Sequence, residues 1–137
     1  MSEPVALFST AAITSDAFSV VLASMGGSLD ANCISQGRVS RDKRHVWLFL
    51  QSKDLTTLPK EILDPVTRAL GGIPRTNIVL ETSRYPGSVE VALEVARAFA
   101  ERWPVVMHNL QVPGRVFSQQ ELLHSADRFA DSSFATL

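Results

Sequence analysis

The 137-residue chain has little of what marks several large classes of protein. It contains one cysteine, Cys33, and therefore cannot form an internal disulfide. No apolar run approaches the roughly 20 residues that span a membrane, and the N-terminal MSEPVALF lacks the basic segment and long apolar core of a secretory signal. We therefore predict a cytoplasmic protein without a membrane partner.

The chain also has little excess charge of either sign. Its 13 Lys and Arg residues against 14 Asp and Glu residues give a formal net charge of −1, so no nucleic-acid partner is expected. With 45% hydrophobic and 20% charged residues the composition is that of an ordinary globular protein. Since no repeat, low-complexity segment or linker interrupts the chain, we predict a single domain over residues 1–137.

Hydrophobic periodicity predicts short strands alternating with helices. The order β-α-β-β-α-β, followed by α-β-(β)-α, predicts an α+β fold with ferredoxin-like βαββαβ order, an added α-β-α extension, and a mixed sheet covered by helices. Another mixed α+β sandwich built from the same elements is the alternative. The predicted strands are residues 4–9, 29–36, 45–50, 76–81, 105–108 and 116–117; the predicted helices lie at 14–25, in two short pieces within 54–70, at 88–102 and from 118 onward.

The residue types that carry catalysis or bind metals form no recognisable motif. Ser88 follows Pro86-Gly87 rather than the glycine pattern of a nucleophile elbow or a phosphate loop, so we interpret it as a helix N-cap. The three histidines lack metal-ligand spacing, and Cys33, in a half-apolar strand, is predicted to be a buried, inert thiol. We therefore predict no catalytic, cofactor-binding or metal-binding residues, and no enzymatic activity.

Two helix features follow from side-chain spacing. Glu90, Glu94 and Glu101, with Arg97 between them, have the spacing of a solvated helix face with local ion pairs. Ser118 and Glu121 form the S-x-x-E pattern of a capping box, which predicts the start of the last helix.

One clear cluster of basic residues precedes the strand HVWLFL. Residues 38–45 hold four of the 13 basic residues, Arg38, Arg41, Lys43 and Arg44, and one of the 14 acids, giving about +3. The cluster lacks the interleaved aromatic residues that stack nucleic-acid bases. A solvated hairpin loop whose charges discourage edge pairing is one interpretation, and a grip on an acidic partner is the other.

A second exposed candidate lies on the turn that precedes Ser88. Arg84 and Tyr85 fall outside any periodic helix face, and Arg and Tyr are residue types that anchor protein interfaces. We therefore add them to the partner-binding candidates.

The second half of the chain is similar in layout to small bacterial immunity proteins of polymorphic toxin and contact-dependent growth inhibition systems. The residues that carry the resemblance are Gly87-Ser88, Arg102-Trp103-Pro104 and Glu121-Leu122. The resemblance implies a non-enzymatic protein that binds and neutralises the C-terminal domain of a cognate toxin. It implies no particular binding residues.

Two other functions remain open at this point. A small-molecule-binding regulatory module of ferredoxin-like type would use the helix start at Ser88 and the strand ends near His108. An enzyme without a recognisable motif would need residues that converge only in space, for instance His108 with Glu81 or Asp54.

Overall fold

The computed structural model describes residues 4–51, 58–83, 88–109 and 116–124, which form seven strands and four helices. The strands are β1 (Pro4–Ser9), β2 (Ser28–Asp30), β3 (Cys33–Arg41), β4 (Arg44–Gln51), β5 (Thr76–Thr82), β6 (Val105–Asn109) and β7 (Val116–Phe117). The helices are α1 (Ser15–Ser24), α2 (Lys60–Leu70), α3 (Ser88–Ala100) and α4 (Gln119–His124).

All seven strands belong to one sheet in the order β2-β3-β4-β5-β1-β6-β7, and every neighbouring pair is antiparallel. The fold is therefore α+β, but the predicted ferredoxin-like order and the mixed sheet are wrong. β1 lies between β5 and β6 because its successive residues 5–8 are all buried, which suits a central strand. The polar three-residue β2 forms one edge of the sheet instead.

The region between α1 and β4 contains one more strand and one more turn than predicted. Residues 29–36, predicted as one strand, are divided between β2 and β3. The segment predicted as a hairpin loop continues β3 as far as Arg41, which pairs with Arg44. Only a two-residue turn remains, and its first residue, Asp42, has a φ of 57°, as the twist of a tight hairpin favours.

The region predicted as two short helices is a single helix, α2. Pro65 lies inside it, so the carbonyl of Glu61 receives no backbone N–H from that position. Gly71 ends the helix with a φ of 75°, a left-handed conformation that glycine adopts without strain.

Two predicted helix starts are confirmed by hydrogen bonds. The Ala17 backbone N–H donates to Oγ1 of Thr14 over 3.1 Å at the start of α1. At α4, the Glu121 N–H donates to Oγ of Ser118 over 3.2 Å, and the Ser118 N–H donates to Oε1 of Glu121 over 3.0 Å. These are the two reciprocal bonds of a capping box.

One face of the sheet carries the main core, together with α1, α3 and α4. Alternate strand residues such as Val46, Leu48 and Leu80 point to this face and are fully buried. Phe18 of α1 and Phe99 of α3 meet above them, with ring centroids 6.1 Å apart. We call this side of the sheet the helix face.

The opposite face is covered differently. Val66 of α2 packs on Ala6, Phe8 and Val106 in a small second core. Seven strands span about 29 Å at about 4.8 Å per spacing, whereas a helix with its side chains is about 10 Å wide. The described contacts of α2 are mainly with β6 and β7, and no described helix covers β2, β3 and β4 on this side. We call this side of the sheet, from β2 to β5, the open face.

None of the helices in the described ranges is long and apolar enough to cross a membrane. The longest, α3, has 13 residues and spans about 20 Å, against about 30 Å for a bilayer core.

Candidate functional site

The open face carries two rows of paired side chains that run across the strands. In one row Arg38 of β3 lies opposite Trp47 of β4, which in turn lies opposite Glu81 of β5. In the next row Gln36 lies opposite Phe49, and Phe49 lies opposite Val79. Because side chains alternate along a strand, all these residues share one face, and the buried Val46 and Leu48 take the other.

The aromatic side chains of this face are half-buried and belong to neither core cluster. Trp47, Phe49 and Val79 are intermediate in exposure, and neither the main core nor the small core under α2 includes them. They form an apolar strip that continues sideways from the small core, since Val79 pairs with the buried Ala6.

An open groove of about 300 Å³ lies between this strip and the β2 edge of the sheet. Trp47 and Phe49 form one side, Arg38 and Gln36 lie on the neighbouring strand, and β2 contributes the other side. The lining residues are Ser28, Leu29, Asp30, Gln36, Gly37, Arg38, Trp47 and Phe49. We call this the β2–β4 groove.

The two charged side chains that line the groove, Arg38 and Asp30, differ in whether they have a bonding partner within the described segments. Arg38 is exposed, and within the described segments no carboxylate lies within ion-pair distance of it. Asp30, by contrast, accepts a hydrogen bond from the Asn32 N–H over 2.8 Å and so stabilises its own turn. Further along the same face, Nδ1 of His45 and Oγ of Ser40 are 2.8 Å apart, and the His45 ring lies 5.8 Å from that of Trp47.

The structure separates the four predicted basic residues. Arg38 lies on the open face beside the groove, whereas Arg41 and Arg44 pair with each other and point to the helix face. There Nε of Arg41 lies 3.7 Å from Oε2 of Glu94 on α3, and its Nη1 donates to the Ser40 carbonyl. Lys43 is exposed at the turn. The cluster predicted as one site is thus a single groove residue plus charges at the hairpin tip and on the other face.

The predicted acidic face of α3 is corrected in one respect. Glu90, Glu94, Arg97 and Glu101 are all exposed, as a solvated face requires. The ion pair that the structure gives Glu94 joins it to Arg41 of β3 rather than to a residue on its own helix.

Two sets of candidates lie outside the described residues. Arg84 and Tyr85, predicted to bind a partner, fall in the segment 84–87, and Asp54 falls in the segment 52–57. Ser88 is the first residue of α3, and its N-cap bond stays a prediction.

Among the described residues, His108 does not come together with the partners suggested for it, and its pairing with Asp54 stays a prediction. It is completely buried on the side of the sheet that carries α2, whereas α3 packs on the helix face, so His108 and the start of α3 do not face a common site. Glu81 shares its face, but two strand spacings and a two-residue offset place the two Cα atoms about 12 Å apart. The pairing of His108 with Glu81 as catalytic groups is therefore excluded. Burial lowers the pKa of His108 below its ordinary value.

Cys33 differs from the buried, inert thiol that was predicted. It is half-buried at the start of β3, with its Sγ 3.3 Å from Oγ of Ser35. Hydrogen bonds from the side chain and backbone of Ser35 lower the pKa of the thiol.

No metal centre is found in the part of the chain that the structure describes, since no three His, Cys, Asp or Glu residues converge there. Comparisons with protein-family models, curated proteins and solved structures gave no match. The resemblance to immunity proteins thus stays a prediction.

Proposed function

We propose that this protein is a non-enzymatic immunity protein that binds a cognate bacterial toxin domain through the open face of its sheet. The observation that carries the proposal is the juxtaposition of Trp47, Phe49 and Arg38 around the β2–β4 groove. Trp and Arg are the residue types most enriched among the residues that dominate binding energy at protein interfaces. Half-buried aromatic rings beside an exposed guanidinium therefore favour a docking surface.

The dimensions of the face support a macromolecular partner. The eight-residue β4 is about 27 Å long, and the strands β2 to β5 span about 14 Å, so the face measures about 400 Å². A stable protein–protein interface buries about 800 Å² on each partner. The contact is therefore expected to extend beyond the face, for instance to Lys43 at the adjoining turn.

Co-purification with the product of the adjacent gene, together with protection of growth when that product is expressed, tests the proposal. Trp47→Ala should weaken the complex by about 30-fold or more, as for a central interface residue, and Arg38→Glu should weaken it further by repelling the partner's complementary charge. Matched controls are Val20→Ala, an apolar side chain 54% exposed on α1, and Arg97→Glu on α3.

Thermal melting first shows that the four variants fold, so that changes in binding can be assigned to the substituted side chains. Loss of binding and protection by the two face variants alone supports the proposal. Absence of a complex, or equal effects of the face variants and the controls, refutes it.

A second candidate function is the binding of a small molecule in the same groove, as a regulatory module would do. A volume of about 300 Å³ is at the lower end of the range for ligand sites, and the lining combines aromatic and polar groups as such sites do. A thermal-shift screen with metabolites distinguishes the candidates, because a specific small ligand raises the melting temperature by mass action without the partner protein.

A further inference from the structure

We propose that the β2–β4 groove receives an acidic–aromatic segment of the partner protein, in which an aromatic side chain packs on Trp47 and Phe49 and the carboxylate of a neighbouring residue binds Arg38. This inference rests on the proposed function and specifies the chemistry of the partner.

The register of the hairpin provides the geometry for this recognition. Arg38 and Trp47 are directly opposite on adjacent strands, which places their Cβ atoms about 5 Å apart. A ring resting on Trp47 therefore brings the residue next to it in sequence within reach of the guanidinium. Phe49 extends the apolar side of the groove by two residues along the same strand.

Charge complementarity selects a carboxylate as the polar group. Arg38 is the cation that lines the groove, and it has no ion-pair partner within the described ranges. The carboxylate of Asp30 is engaged with the Asn32 N–H of its own turn. An incoming carboxylate can form a bidentate pair with a guanidinium, which is geometrically specific.

The same surface disfavours single-stranded nucleic acid. Bases could stack on Trp47 and Phe49, but Asp30 and Glu81 flank the rings and would repel a row of phosphates. A single aspartate or glutamate on a protein partner meets Arg38 without approaching both acids.

The test uses two indole signals within one molecule. ¹⁵N-labelled protein is titrated to millimolar concentrations with the capped peptide acetyl-Gly-Asp-Phe-Gly-amide while the Nε1–H signals are recorded. Trp47 lies in the groove, whereas Trp103 packs on Phe99 with ring centroids 5.9 Å apart and serves as the internal control. The Trp47 signal should shift saturably, and that of Trp103 should not.

Peptide and protein variants isolate the two contacts. Replacing the peptide Asp by the isosteric Asn should weaken binding about fivefold, the upper value for an exposed ion pair, and replacing its Phe by Ala should abolish the shift. The variant Arg38→Gln should remove the difference between the Asp and Asn peptides. Arg97→Gln, which changes the net charge equally on the remote α3, should preserve it.

Three results would overturn the inference. They are the absence of a saturable Trp47 shift, equal binding of the Asp and Asn peptides, and tighter binding of either decathymidylate or phenylacetate than of the peptide. Failure here is distinguishable from failure of the proposed function: a complex with the adjacent gene's product that forms without peptide recognition removes the inference alone, and peptide recognition without any such complex removes the function alone.

Discussion

Gly37 lines the groove, and its substitution tests how closely β3 packs on Leu22 of α1. It lies on β3 between Gln36 and Arg38, opposite Leu48, and its missing side chain would point to the helix face. A Cβ built there would overlap Cδ1 of Leu22 on α1 and would lie 3.2 Å from the Ser28 carbonyl oxygen.

The expected effect of Gly37→Ala combines two opposing contributions. Overpacking a core typically costs about 1–3 kcal/mol, and restricting the unfolded chain at a position with an ordinary φ returns about 0.4–1 kcal/mol. We expect Gly37→Ala to lower the free energy of unfolding by up to about 2.6 kcal/mol. The reason is specific to Leu22, so the effect should depend on that side chain.

A double-mutant cycle with Leu22→Ala checks this reasoning. Leu22→Ala alone should cost about 2–5 kcal/mol, because Leu22 is only 1% exposed in the main core. In that background the overlap with Leu22 is absent and the 3.2 Å approach to the Ser28 carbonyl oxygen remains, so Gly37→Ala should cost about 1–3 kcal/mol less than in the natural chain. The coupling free energy should therefore be about 1–3 kcal/mol.

Urea unfolding followed by fluorescence measures each corner of the cycle through its midpoint and slope. Gly72→Ala is the matched control, because among the described residues a Cβ there would meet only Cγ2 of Thr10, at 3.3 Å, the tip of one side chain. Additive effects of Gly37→Ala and Leu22→Ala within about 0.5 kcal/mol would refute the assigned contact.

Two further predictions concern titratable groups. Burial depresses the pKa of His108 below its unfolded value of about 6.5, so the unfolded chain binds more protons below that pH. The free energy of unfolding should fall as pH drops from about 6.5 and level off below the folded pKa; a slope unchanged in His108→Gln would contradict this. The rate of Cys33 alkylation by iodoacetamide, measured against pH, should reach half its maximum at a lower pH than for a free thiol, since hydrogen bonds from Ser35 favour the thiolate. Ser35→Ala removes the hydroxyl bond and keeps the backbone bond, so it should raise this pH midpoint; an unchanged midpoint would show that the Ser35 hydroxyl is not the cause.

Local signals predicted much of the secondary structure. Short apolar runs located β1, β4, β5 and β6, and the Ser118–Glu121 spacing located the start of α4 with both of its capping bonds. Such features depend on residues a few positions apart, where side-chain geometry is decided by the local backbone.

Strand order and the groove could not be predicted in the same way. The pairing of β1 with β5 and β6 joins residues about 70 to 100 positions apart, which no local pattern reports. The hydrophilic residues 38–44 suggested a loop. They instead extend β3 and its turn, because cross-strand pairing with β4 outweighs their low β-propensity.

The same misassignment concealed the candidate site. Once residues 38 and 41 are placed on a strand, their odd separation puts them on opposite faces. Trp47 was part of an apolar run, and only the register that sets it opposite Arg38 indicates a binding role.

The unequal covering of the two faces has a consequence for how this protein can change. Along β4, Val46 and Leu48 determine whether the chain folds, while Trp47 and Phe49 meet the groove. Because core packing and partner contact alternate along the strand, new partner preferences can arise by substitution at every second residue without repacking the interior. Saturation mutagenesis of this strand should therefore give two interleaved profiles, one of lost abundance and one of altered specificity.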